Sequence, residues 1–186
     1  MLASGEDVNA KDNDGNTALH WSCLLGLDSL TSLLLAHDAR TDLSNDKGDT
    51  PAHCAARSRN SAALKMLCAV AGGVANLVLS ARNVAGKTPF LDCAEHNDAS
   101  LMEWMYLRGV CVDERDANGG TALQLASRLG HTRTVQWLLS RSASVGVRDD
   151  SGLTALHWAS GCGEQEVAKM LLDAGAAHLV TSPDRR

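Results

Sequence analysis

The stretch GNTALHWSCLLG, Gly15 to Gly26, decides how this 186-residue chain is read. Nearly the same phrase, GLTALHWASGCG, returns at Gly152 to Gly163, and shorter echoes lie between them: TPAHCA from Thr50, TPFLDCA from Thr88 and TALQLA from Thr121. Aligned on Thr17, Thr50, Thr88, Thr121 and Thr154, the copies fall 33, 38, 33 and 33 residues apart. Other offsets keep the same register. A glycine sits two before each threonine (Gly15, Gly48, Gly86, Gly119, Gly152), and an Asp or Asn sits five before (Asp12, Asn45, Asn83, Asp116, Asp149). Apolar pairs follow at a constant distance: Leu34-Leu35, Leu67-Cys68, Met105-Tyr106, Leu138-Leu139 and Leu171-Leu172.

Each offset has a physical reason. Asp or Asn followed by Gly makes a tight turn, with Gly supplying the permissive backbone. Thr opens a first helix as its N-cap, and Pro51 and Pro89 take the first helical position, where no amide donor is missed. Gly26, Gly130 and Gly163 end that helix in a left-handed cap, which Asn97 also tolerates. Arg59 suits that conformation poorly, so a local adjustment is expected around Arg59-Asn60. A second helix follows in every copy: LDSLTSLLLA from Leu27, SAALKMLCA from Ser61, ASLMEWMYL from Ala99, HTRTVQWLLS from His131 and EQEVAKMLLDA from Glu164. Each carries an apolar stripe at helical spacing that one unit cannot bury alone, so neighbours must stack.

A period of 33 with a T-P-L-H-x-A phrase resembles the ankyrin-repeat family over about residues 9–176. The resemblance implies an all-α fold, an ankyrin-repeat solenoid of helix-turn-helix units joined by hairpin loops. The expected repeats run from about 12–44, 45–82, 83–115, 116–148 and 149–181, with residues 1–11 as the tail of a preceding repeat. The 38-residue step puts five extra residues near AVAGGVANLVLSARN, where a tolerated loop is favoured over a binding element. The opening LASGEDVNAKD reads as the end of a unit, and the last helix pair is apolar and uncapped. Terminal repeats ordinarily have polar outer faces, so a segment of a longer protein, or one flanked by partners, is expected.

The resemblance also implies a function: binding another protein or peptide in a concave groove lined by hairpin tips and first helices. Carried over position by position, the groove takes Asp14, Asn16, Leu24 and Leu25 from the first copy and Asp46, Lys47, Asp49 and Arg57 from the second. Lys87 and Glu95 come from the third, and Arg128 and Leu129 from the fourth. Trp21 and Trp158, four after their threonines, lie on the same side, with Cys54, Asp92 and Leu125 at the equivalent places. Two readings stand for these tryptophans, ordinary inter-helix packing or a flat platform for a partner's proline or apolar side chain. Leu24 and Leu25 are either part of that platform or covered by a preceding repeat. Trp104 and Trp137, on second helices, are expected to pack against each other or their neighbours. In the family the histidine of the phrase (His20, His53, His157) hydrogen-bonds to the next repeat's backbone; Leu91 and Gln124 replace it, so that bond should be weakened or altered there.

Composition narrows the function further. Net charge is −5, which argues against a general affinity for nucleic acid. No apolar run approaches the ~20 residues of a membrane span, and no signal peptide opens the chain. The six cysteines show no CxxC pair, as free thiols in a reducing compartment would, and a cytoplasmic location is expected, with the nucleus, or the cytosolic face of a membrane within a larger membrane enzyme, as alternatives. No His/Cys set has metal-ligand spacing, and no glycine-rich phosphate loop occurs, so neither cofactor nor metal is expected. Cys93 near Asp92 and His96 is the one local Cys/His pairing, and a helix packed in a stack makes it a core thiol rather than a nucleophile. The chain is therefore expected to be a non-catalytic scaffold. A looser similarity, in the ALHW phrase and the long second step, is to the ankyrin regions of membrane palmitoyltransferases. There this chain would be the substrate-recruiting arm of an enzyme whose chemistry, and whose further domains, lie elsewhere. Self-association through the apolar ends is a third reading.

Overall fold

The computed structural model describes residues 7–72 and 75–175. The expected tail in residues 1–6, Gly73 of the long step and the end of the last repeat from 176 onward lie outside the described residues. The helices are α1 (Ala18–Leu24), α2 (Asp28–Ala36), α3 (Pro51–Arg57), α4 (Ser61–Ala71), α5 (Ala75–Ser80), α6 (Pro89–Glu95), α7 (Ala99–Tyr106), α8 (Ala122–Arg128), α9 (Thr132–Ser140), α10 (Ala155–Cys162) and α11 (Gln165–Asp173). Among the described residues there is no strand, only an isolated bridge between Arg115 and Thr121. The fold is the all-α ankyrin-repeat class. It comprises two compact units, Met1–Asp92 and Cys93–Arg186.

The first helices start where the threonines place them, and the residue three further on completes the cap. In α1 the Thr17 amide donates to His20 Nδ1 at 3.1 Å, and Thr17 Oγ1 lies 2.9 Å from the same nitrogen. Thr50 with His53 and Thr154 with His157 repeat the arrangement. In α8 Gln124 does the same work, its Oε1 accepting from the Thr121 amide at 2.8 Å. These are capping boxes in which an imidazole or an amide replaces the usual Glu.

The turn from first to second helix is also uniform. Gly26, Arg59, Asn97, Gly130 and Gly163 all have left-handed backbones, with φ of 70, 56, 58, 67 and 78°. The next amide then returns to the first helix: Leu27 to Ser22 O, Asn60 to Ala55 O, Asp98 to Cys93 O, His131 to Ala126 O and Glu164 to Ala159 O, at 2.8–3.0 Å. No separate adjustment occurs at Arg59-Asn60. Arg59 takes the glycine conformation because the returning bond and the Asn60 cap on α4, Oδ1 accepting from the Ala63 amide at 2.9 Å, fix the chain on both sides.

In the first unit α1 packs on α3 and α2 on α4; in the second α8 packs on α10, and α9 meets α7 and α11. Small residues permit the close approach. Ala52, Cys54, Ala55 and Ala56 of α3 are all buried, as are Ala122, Ala126, Ala155 and Ala159 in the second unit. Leu19, Leu64, Leu67, Phe90 and Leu91 fill the first core, and Leu101, Met102, Met105, Leu123, Leu138 and Leu171 the second. Two buried threonine hydroxyls are paired: Thr31 Oγ1 donates to Ser22 Oγ, and Thr134 Oγ1 to Asn97 Oδ1.

The long step differs from expectation. It holds a helix, α5, rather than a loop alone. Leu79 is 1% exposed and Val78 is buried with it, while α5 packs along α4. Val78 and Leu79 had a core to enter, and burial of that order, ~1.5–3 kcal/mol each, is enough to order a short helix.

Candidate partner-binding face

The hairpin tips are built by one side chain each. Asp12 Oδ1 accepts from the Asp14 and Asn16 amides at 3.0 and 2.8 Å, closing the turn. Asn45, Asp116 and Asp149 close theirs the same way. Successive tips are tied by backbone bonds: Asp46 N–H to Asp14 O at 3.1 Å, Val84 N–H to Lys47 O at 3.0 Å, and, in the second unit, Asp150 N–H to Asn118 O at 3.0 Å. Glycine is needed at Gly48 for two reasons. Its φ is +75°, and a Cβ there would lie 2.7 Å from the Val84 amide nitrogen.

The histidines join repeats as the resemblance implied. His20 Nε2 lies 2.9 Å from Asp49 O, and His53 Nε2 lies 2.9 Å from Lys87 O. Because the threonine amide donates to Nδ1, each ring is a neutral tautomer whose Nε2–H donates to the carbonyl. Burial lowers the pKa of both. Gln124 keeps this bond rather than weakening it: its Nε2 donates to Leu153 O at 2.7 Å and to Val147 O at 3.1 Å. Leu91 has no polar group to offer and is fully buried.

The side chains expected in the groove divide into several settings. On α1 and just beyond it, Trp21, Leu24 and Leu25 are exposed by 44, 39 and 62%. The Trp21 ring is held, its Nε1–H donating to Asp12 Oδ2 at 2.8 Å, and that bond keeps the Asp12 carboxyl below its usual range. Asp14, Asp46 and Lys47 are exposed at the tips. Asn16 is half-buried, its Oδ1 accepting from Asn45 Nδ2 at 2.8 Å.

Asp49 and Arg57 face each other instead of solvent. Asp49 is 1% exposed, and Arg57 Nη1 and Nη2 donate to its two oxygens at 2.5 and 2.6 Å. Arg57 Nε also lies 3.4 Å from an oxygen of the buried Asp92. Asn83 Nδ2 adds a bond to Asp49 Oδ1 at 2.8 Å. Burial works to raise the Asp49 pKa, but the Arg57 and Asn83 bonds outweigh it and the carboxyl stays below its usual range. Burial raises Asp92, against the pull of Arg57. Burial works to lower Arg57, and the two carboxylates more than reverse it. Two acids sharing one cation thus knit tip, first helix and the start of α6 inside the first unit.

In the second unit Trp158 is half-buried. Its Nε1–H donates to Asp149 Oδ2 at 2.8 Å, and the Arg128 guanidinium lies 5.5 Å above its ring. Arg128 Nη2 also reaches Glu95 Oε1 at 3.3 Å. Asp116, Asn118, Leu125, Asp150 and Trp158 border a cleft of about 310 Å³ under Arg128. Leu129 is exposed and Lys87 half-buried.

Sequence reasoning missed what fixes the tryptophans. In two of the three copies whose turn residue is Asp (Asp12, Asp149) a Trp stands nine residues on, while Asp116 has Leu125 there; where the turn residue is Asn (Asn45, Asn83) the amide instead donates to Asn16 or Asp49 of the preceding repeat. That alternation was visible in the aligned copies. The second-helix tryptophans pack on neighbours: Trp137 sets an edge against Tyr106, ring centroids 6.0 Å apart, and the Arg108 guanidinium lies 3.8 Å over Trp104. Cys23, Cys54, Cys68 and Cys93 are buried and form no disulfide, and burial pushes Cys23 and Cys54 up to about 12. Among the described residues no group of His, Cys, Asp or Glu is arranged to hold a metal ion, and no helix is long and apolar enough to cross a membrane.

The helix pairs, the tied tips and the histidine bonds define a class, and comparison with known proteins gives the same one. The family model for ankyrin repeats (three copies) matches residues 1–78 and 90–182. The chain belongs to the ankyrin-repeat family, whose repeats are generally non-catalytic modules that bind other proteins. It is similar to the Nuclear factor NF-kappa-B p105 subunit of Gallus gallus, 31% identical over 137 residues, covering 72% of this chain and 14% of that protein. It is similar to the Transient receptor potential cation channel subfamily A member 1 homolog of Caenorhabditis elegans, 28% identical over 121 residues, 65% of this chain and 10% of the relative. A shorter stretch of 61 residues is 41% identical to Palmitoyltransferase ZDHHC17 of Danio rerio, 32% of this chain and 10% of that protein. The chain thus spans about a seventh or less of the length of these relatives.

Proposed function

We propose that this chain is a non-catalytic binding scaffold that holds a partner protein or peptide against its hairpin tips and first helices. The observation that carries this is the platform on α1. Trp21, Leu24 and the following Leu25 are exposed together, and Asp12 clamps the Trp21 ring before any partner arrives. A prepositioned aromatic loses little conformational freedom on binding, and such anchors dominate interface energetics. Asp14, Asp46 and Lys47 stand beside the platform and supply a mixed charge pattern that suits a selective peptide more than a polyanion. Asn16 and Lys87 in the first unit, and Glu95, Arg128, Leu129 and Trp158 in the second, are further contact positions of the same kind. Asp49 and Arg57 support the surface of the first unit from below by fixing the tip and first helix of the second copy.

The chain works without cofactor or metal, in the cytoplasm or nucleus; the buried thiols, none in a disulfide, suit a reducing compartment. A second reading keeps the binding role and places it in a larger enzyme such as a membrane palmitoyltransferase, on the strength of the identity to ZDHHC17. Membrane spans encoded next to this segment would support that reading, and further repeats or a stop codon would count against it.

The test is affinity capture from cell extract with wild type and Trp21→Ala, followed by identification of what is lost. We expect Trp21→Ala to lose a partner that Trp137→Ala retains, while Trp137→Ala lowers the melting temperature more, since Trp137 is bonded and packed. Equal partner loss from both variants, or a larger loss of stability at Trp21, would refute the assignment.

A further inference from the structure

The second-helix side of the second unit carries a different surface. On α9 and its cap, Arg133, Trp137 and Arg141 follow at four-residue spacing, so they line one face over roughly 12 Å of helix. α7 faces them with Ala99, Ser100 and Glu103, and the two elements border an open trough of about 630 Å³. Its floor is wide because Ala99, Ser100 and Ser140 are small.

The trough is electrostatically lopsided. Glu103 is the one carboxylate on its lining, and it is engaged: Trp137 Nε1–H donates to Oε2 at 2.5 Å, and Arg141 Nη2 to both oxygens at 2.9 Å. Those two partners hold the Glu103 carboxyl below its usual range. Arg141 uses Nε and Nη2 for these bonds, so Nη1 takes no part in them, and its guanidinium lies 5.5 Å from the Tyr106 ring and 6.0 Å from the Trp137 ring. Arg133 is exposed and reaches the Ser100 hydroxyl at 3.3 Å. Among the described residues the lining therefore bears two cations and one acid: Arg141 is paired with Glu103, and Arg133 carries the net positive charge, on a chain whose net charge is −5.

We propose that this trough is a second docking site, separate from the first-helix face, for an extended acidic peptide segment. Two carboxylates on the peptide pair with Arg133 and Arg141, and an apolar side chain between them rests on the Trp137 ring. An extended strand rises about 3.3 Å per residue, so carboxylates four residues apart span the arginines. Charge complementarity selects an acidic partner, and the aromatic centre selects a peptide over a bare polyanion.

The probe is a short fluorescein-labelled peptide with two glutamates four residues apart and a leucine midway, titrated with the whole chain by anisotropy. Binding is expected with a Kd below about 100 µM at low salt, weakening steeply with added salt. Arg133→Glu, and glutamine in place of both peptide glutamates, should each weaken it at least about tenfold, while Trp21→Ala leaves it unchanged. Arg133→Ser serves as a second variant should Arg133→Glu lose helicity. No saturable binding up to about 1 mM, equal affinity for the glutamine peptide, no effect at Arg133, or equal competition by inorganic polyphosphate would overturn the proposal.

Discussion

Asp12 and Asn45 occupy equivalent places in successive hairpins, and the difference of one atom follows from what stands nearby. Both use Oδ1 to close the turn, but Asp12 offers a second acceptor to the Trp21 indole, whereas Asn45 offers a donor to Asn16 Oδ1. Asp12→Asn would aim an amide N–H₂ at an indole N–H, or turn the amide round and lose the turn bonds. We expect a loss of about 1 kcal/mol in urea unfolding, and a more mobile Trp21 ring by fluorescence anisotropy. An unchanged midpoint with an unchanged ring would contradict this account of the clamp. The same exchange at Asp149 should free Trp158.

Among the elements, α3 depends most on a single charge. Arg57 stands between Asp49 and Asp92, each 1% exposed. Arg57→Met keeps the hydrophobic stem and leaves two buried carboxylates facing one another. A cost of about 3 kcal/mol at pH 7 is expected, the low end for a broken buried pair because Arg57 itself is partly exposed. The deficit should shrink as pH falls toward 5, since Asp92, whose pKa burial already raises, is then free to take up a proton. A deficit that is constant across that range would show that the carboxylates do not interact through Arg57.

The helices themselves were legible from the threonine register, because capping and left-handed turns are local chemistry. The Arg57 cluster was not. Its members lie on three elements brought together only by stacking, so sequence offsets alone placed Asp49 and Arg57 in a groove. α5 was hidden for the same reason: a short apolar run becomes a helix only when α4 offers it a surface. For Trp21, Leu24 and Leu25 the residues offered two readings, a platform or packing, and sequence offsets do not choose between them; within the first unit the three are 44, 39 and 62% exposed.

At the scale of the whole molecule, neutral histidines join repeats, so folding is linked to pH. Burial lowers the pKa of His20 and His53 below the unfolded value near 6.5, so the unfolded chain binds more protons as pH drops through that value. Stability is therefore full above pH 6.5 and declines below it, by up to about 1.4 kcal/mol per pH unit for each histidine. Gln124 already performs the histidine's bonding without titrating. His53→Gln should accordingly keep stability near wild type at pH 7.5 and flatten its decline between pH 6.5 and 5.5 in urea unfolding. An unchanged slope would mean that His53 is not the group taking up protons.

The central claim is that partners meet the first-helix face, and site-specific photo-crosslinking tests it most directly. A photoreactive phenylalanine analogue at Leu25, 62% exposed beside Trp21, is compared with one at Leu33, 50% exposed on the second helix of the same repeat. Illumination of the captured complex should join the partner to position 25 and leave position 33 unreacted. Crosslinking from position 33 alone, or equally from both, would contradict it.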